Sequence, residues 1–68
     1  MKEVKITSEY ITLGQIIKYL GMVESGAMVK EFVLTQDITV NHEKEQRRGR
    51  KLYPGDHIII NNSQFVVK

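Results

Sequence analysis

Between Ser25 and Asn41 the hydrophobic period of the chain changes from that of a helix to that of a strand with only two residues between them, so the rest of the chain must be organised to hold this unit. Val29, Phe32 and Val33 recur at i, i+3 and i+4 and make one apolar stripe, while Lys30 and Glu31 fall off it toward water. Ser25 is placed to act as the N-cap, its hydroxyl accepting from the free amides of the first turn. Gln36 and Asp37 break the helical pattern. Ile38-Thr39-Val40 then alternates, with Ile38 and Val40 facing one way and Thr39 the other.

Upstream, Thr12 precedes Leu13, Ile16, Ile17 and Leu20, an i, i+3, i+4, i+7 series, and Gln15 stands three after Thr12 as a capping box requires. Gly21 follows the last periodic residue, where a left-handed C′ conformation ends a helix and lets Met22 fold back. The short connection Met22-Val23-Glu24 predicts that the two helices lie side by side as a hairpin. Before them, Lys2 to Thr7 alternate as a short edge strand whose lysines discourage edge-to-edge association.

Downstream, Asn41-His42-Glu43 is expected to turn, because Asn tolerates positive φ, with Lys44 to Gln46 returning as an irregular strand. Tyr53-Pro54-Gly55-Asp56 carries the signature of a type II turn: Pro54 presets φ at the second position and Gly55 accepts positive φ at the third. His57 to Ile60 and Gln64 to Val67 form two strands joined by the polar loop Asn61-Asn62-Ser63. The expected fold class is α+β, a two-helix hairpin packed on a small, mainly antiparallel sheet.

Sixty-eight residues make one small domain, spanning 1–68, that buries about 60% of its unfolded surface, which favours a binding module over an enzyme. Its hydrophobic share of 41% against 26% charged is that of an ordinary globular chain. Without cysteine there is no disulfide framework and no thiolate metal site. No apolar run approaches a membrane span, and MKEVKIT lacks the apolar core of a signal peptide, so a cytoplasmic location is expected. His42 and His57 have no clustered ligands around both, no serine sits in a nucleophile elbow, and no glycine-rich loop matches a phosphate-binding fingerprint. Neither metal, cofactor, small-molecule substrate nor catalysis is therefore expected. Glu43 and Glu45 flank a turn and are read as solvated rather than as an acid/base pair.

Net charge is only +2, but four of the ten basic residues fall in Arg47-Arg48-Gly49-Arg50-Lys51, where no acid interrupts them. Arginines at this density can pair bidentately with phosphate oxygens, and Gly49 lets a backbone approach closely. A solvated loop kept soluble by charge is an equal reading of the same run. Lys30 and Lys18 would add to a basic face if they point the same way. Tyr19 and Tyr53 could stack on bases or sit half-buried at a core margin.

Ser25 opening a helix, Lys30, Ile38-Thr39-Val40-Asn41 and Tyr53-Pro54-Gly55-Asp56-His57-Ile58 together resemble the RNA-binding domain named for small-subunit ribosomal protein S-four, the alpha-L motif, over roughly Thr12 to Ile60. Arg47 to Asp56 looks particularly like the short stand-alone bacterial members of the YaaA type. The resemblance implies a non-catalytic module that grips structured RNA, ribosomal RNA or an assembling ribosomal particle. By position it assigns contacts to Ser25 and Lys30 on the helix and to Arg47, Arg48, Arg50 and Lys51 on the loop; Asn41 is given a turn role. Three residues depart from the pattern: Gly26 where an arginine often follows the serine, Gln36 at a usual glycine, and His42 at the glycine that commonly follows Val-Asn. The alternatives are a protein-interaction adaptor whose basic loop meets an acidic partner, and a β-grasp sulfur carrier. The carrier is disfavoured because the chain ends Phe65-Val66-Val67-Lys68 and not Gly-Gly.

Overall fold

The computed structural model describes all residues from Met1 to Lys68. Along the chain lie β1 (Lys2–Val4), β2 (Ile11–Thr12), α1 (Leu13–Tyr19), a 3-10 turn (Gly26–Met28), α2 (Val29–Thr35), β3 (Ile38–Val40), β4 (Glu43–Lys44), β5 (Lys51–Leu52), β6 (His57–Ile60) and β7 (Ser63–Val67). The strands form a five-stranded sheet in the order β1-β7-β6-β3-β4 and a separate two-stranded ribbon of β2 with β5. All pairings are antiparallel except that of β1 with β7. The expected α+β class holds, with β1 at the sheet edge and shorter than its alternation suggested.

Packing follows the two periods. Leu13, Ile16 and Ile17 of α1 and Val29 and Val33 of α2 meet Ile38, Val40, Ile58, Ile60, Phe65 and Val67 from one face of the sheet, closing a core of thirteen buried side chains with Val4 and Leu52. Burying a side chain of this size contributes about 1.5–3 kcal/mol, so this shared core is the main favourable term in holding helices to sheet.

Both ends of α1 form as the sequence requires. Thr12 Oγ1 accepts from Gln15 N at 3.2 Å while Gln15 Oε1 accepts from Thr12 N at 2.9 Å. Gly21 sits at φ +73°, its N donating to Lys18 O and Met22 N to Ile17 O, the two bonds of a Schellman ending. At α2 the cap differs from expectation. Ser25 is extended but its hydroxyl makes no capping bond; its carbonyl instead accepts from Met28 N at 3.2 Å, and the 3-10 turn leads into a helix that begins only at Val29. The tighter i to i+3 turn gives the Met28 amide to the Ser25 carbonyl, where a capping hydroxyl would otherwise receive it.

Gln36 ends α2 in extended conformation, φ −94°, and so needs no glycine. Asn61, across the β6–β7 turn, secures the junction: its Oδ1 accepts from Asp37 N, its N donates to Asp37 O at 2.7 Å, and its Nδ2 donates to Gln36 Oε1. The β3–β4 turn is tighter than expected. Asn41 and His42 alone form it, both at positive φ (+52° and +72°), and Val40 pairs with Glu43, so the returning strand is Glu43–Lys44 rather than Lys44 to Gln46. A two-residue turn with both φ positive matches the twist of the flanking strands, and His42 holds the conformation that glycine would adopt without strain.

Candidate nucleic-acid interface

The segment after β4 carries the basic run, and a carboxylate at its start sets its shape. Glu45 N donates to Ile38 O at 2.9 Å, continuing the ladder beyond β4 and turning the side chain inward, where it is only 5% exposed. Its Oε2 accepts from Gln46 N, Arg47 N and Arg47 Nε at 3.0–3.1 Å, and its Oε1 from Arg47 Nη2 at 3.1 Å and Arg50 Nη1 at 2.7 Å. The expectation that Glu45 is solvated is therefore corrected; Glu43 is exposed as expected. An acid does engage the basic run after all: Arg47 and Arg50 share one carboxylate, because a buried carboxylate must be satisfied by charged or amide donors. The Arg47 guanidinium, then that of Arg50 and the Arg47 amide, outweigh burial and hold the Glu45 carboxyl down to about 2.

A second anchor comes from α1. The first turn of a helix leaves amides without intrahelical partners, and here Leu13 N donates to Arg50 O at 2.9 Å and Gly14 N to Arg48 O at 2.8 Å. Gly14 permits this approach, since a Cβ there would stand 3.1 Å from Val29 Cγ1 and 3.3 Å from Arg48 O. Arg50 N closes the loop on Arg47 O, and Gln46 Nε2 reaches Leu34 O at the end of α2. The backbone of the run is thus fixed from three sides while its side chains remain outside.

Two adjoining surface depressions result. Lys30, Val33 and Leu34 of α2 border the first, together with Gln46, Arg47, Arg48 and Gly49. Arg47, Gly49, Arg50, Lys51 and Tyr53 border the second. Lys30 and Arg48 pair with no acid. Arg47 remains 75% exposed despite its pairing and Arg50 34%. Lys51 lies with its Nζ 4.9 Å from the centre of the Tyr10 ring. Lys30, seventeen residues before Arg47 in the sequence, therefore joins the loop cations on one side of the molecule. Ser25 borders neither depression, and Lys18 lies near Gly26, where an added Cβ would be 3.7 Å from its Nζ.

Asn41 proves to be more than a turn residue. Its N donates to His57 O, its Oδ1 accepts from His57 N and its Nδ2 donates to Asp56 Oδ1 at 3.1 Å. Asp56 in turn accepts from Tyr53 N through Oδ2 at 2.8 Å, while Asp56 N donates to Tyr53 O and Gly55 takes φ +99°, completing the expected type II turn. The Val-Asn and Pro-Gly-Asp signatures, fifteen residues apart, are thus two halves of one structural clamp. Sequence reasoning missed Glu45, Gly14 and Tyr10; the available signals were an acid two residues before an arginine and a glycine inside an otherwise regular helical pattern.

The model of the S4 domain matches residues 4–68. The chain is 46% identical over 57 residues, 84% of its own length and 80% of the other, to the probable ribosome maturation protein RlbA of Bacillus subtilis (strain 168). With the helix hairpin, the sheet and the Asn41–Asp56 clamp in place, these matches establish that the chain belongs to the S4 domain family.

Proposed function

We propose that this protein is a non-catalytic RNA-binding module, residues 1–68 acting as one domain, that grips structured RNA through its phosphate backbone, with ribosomal RNA or an assembling ribosomal particle as the target in the cytoplasm. The observation that carries this reading is the convergence of Lys30 from α2 with Arg47 and Arg48 from the loop around one depression, with Lys30 and Arg48 bound to no acid. Fixed guanidinium forks spaced along a ledge suit phosphate oxygens, and contacts of this kind recognise helical shape more than base edges. Membership of the S4 domain family and similarity to a probable ribosome maturation protein support both the ligand and its setting. Arg50 and Lys51 would extend the grip toward Tyr53, while Ser25 would touch RNA only beyond the ledge.

Testing the ledge by removing all the loop arginines would mislead, because losing Arg47 and Arg50 strands the buried Glu45. Lys30→Ala with Arg48→Ala removes charge without that cost. Ultraviolet crosslinking in cells, followed by sequencing of the attached RNA, is expected to recover ribosomal RNA with the natural protein and much less with the double variant at equal protein level. Equal recovery from both would overturn the assignment of the ledge, and recovery of no RNA above background would overturn RNA binding itself.

A further inference from the structure

The two-stranded ribbon places an aromatic pair beside the cations. Ile11 pairs with Leu52 and Thr12 with Lys51, so continuing the register by one sets Tyr10 opposite Tyr53. Alternation sends Leu52 into the core, fully buried, and turns Lys51 and Tyr53 to the other side of the ribbon. The ring centroids of Tyr10 and Tyr53 lie 5.9 Å apart at 49°, and Lys51 occupies the diagonal position over Tyr10. Tyr10 remains 37% exposed and Tyr53 41%, although each is large and apolar enough to be covered if the core had room. Tyr53 also borders the second depression, whose remaining walls are Arg47, Gly49, Arg50 and Lys51. Gly49 presents open space where a side chain would stand.

We infer that Tyr53, braced by Tyr10, is a stacking platform for one unpaired base, whose flanking phosphate is held by Arg50 and Lys51. This rests on the backbone-gripping reading and deepens it: the preferred RNA is a helix with unpaired nucleotides at its end or in a bulge, the helix lying on the Lys30 side and the unpaired base on the Tyr53 side. A flat π surface next to guanidinium groups matches the two chemical faces of a nucleotide, an aromatic base and an anion. Because the Tyr10 ring, itself under Lys51, already restricts the Tyr53 ring, stacking costs little further ordering.

The test is fluorescence anisotropy with three RNAs: a blunt duplex, the same duplex with a short single-stranded extension at either end, and that extended duplex with abasic sites in the extension, which keep the phosphates and remove the bases. The base-bearing extension is expected to bind about 5- to 160-fold more tightly than its abasic counterpart, the range of one stacked base. Tyr53→Leu should lower it to the abasic level and Tyr53→Phe should retain the advantage. A 2-aminopurine in the extension should be quenched by the natural protein, a readout that needs no variant. Equal affinity for abasic and base-bearing extensions, absence of quenching, or a Tyr53→Leu variant that weakens blunt and extended duplexes alike would overturn the platform. If the duplex binds with no base-dependent gain, only the platform falls; if the natural protein binds none of the three, the backbone-gripping reading falls with it.

Discussion

Two corners of the molecule are built around a carboxylate, and they use it in opposite ways. At one, Asp56 accepts from Tyr53 N and Asn41 Nδ2, neutral donors, and the result is a turn tied to a neighbouring turn. At the other, Glu45 accepts from two backbone amides and from two guanidinium groups, and the result is an ordered loop in which Arg47 and Arg50 are held on that carboxylate while Arg48 and Lys51 stay exposed. Asp56 only shapes backbone. Glu45 shapes backbone and also decides where charge is displayed, sacrificing part of the positive field to fix the rest of it in place. A buried acid beside a cationic surface is therefore a positioning device here, and counting charges along the sequence overstates the field of the loop while understating its order.

Breaking the Glu45 corner should have the larger effect. Glu45→Ala leaves two amides and two arginines without their shared acceptor, and is expected to lower stability by about 2–3 kcal/mol in chemical denaturation. Asp56→Ala, which releases fewer and uncharged donors, should cost about 1–2 kcal/mol by the same measurement. If the Asp56 variant proves the more damaging, the two corners have been ranked wrongly.

Acid titration probes the Glu45 corner by a second route. The Glu45 carboxyl is lowered from 4.5 to about 2 in the folded protein. Its stabilising contribution is thus fully present above the unfolded value and lost as pH falls from about 5 toward 2, since the unfolded chain takes up the proton first. The full shift would correspond to about 3 kcal/mol, but Arg47 is largely in solvent, so screening leaves about 1–2 kcal/mol. Glu45→Gln should flatten the stability profile between those pH values, and a profile unchanged from that of the natural protein would contradict the role given to this carboxylate.

The smallest expected change is a gain. His42→Gly relieves a side chain held at φ +72° and should raise stability by about 0.5–1 kcal/mol without altering either corner. No gain in thermal denaturation would mean that the imidazole makes a compensating contribution.

Much of the fold was legible because its signals are local. The capping box at Thr12, the left-handed Gly21, the Pro54-Gly55 turn and the alternation of β6 and β7 each involve residues within a few positions of one another, and each appears where the pattern placed it. The exposure of Lys30 followed from the helical stripe in the same way. What was not legible depends on contacts across the chain or on geometry finer than periodicity. Strands of two residues, such as Ile11–Thr12, are too short to show a period. Gly14 is explained only by Val29 and Arg48, fifteen and thirty-four positions later. Glu45, within a polar run, carries the composition of a solvated loop, and only the inward turn of the chain after β4 buries it. Ser25 had the right identity and an extended backbone for a cap, yet the 3-10 turn took its carbonyl and left the hydroxyl idle.

The central claim is that α2 and the Glu45-anchored loop present one surface to a polyanion, and the salt dependence of duplex RNA binding tests it most directly. Lys30→Ala with Arg48→Ala should reduce the slope of log affinity against log salt by about 1.4–1.8, the sum of two lost phosphate contacts at 0.7–0.9 each, with the variant still folded. A slope identical to that of the natural protein would show that the helix and the loop do not engage RNA as one surface.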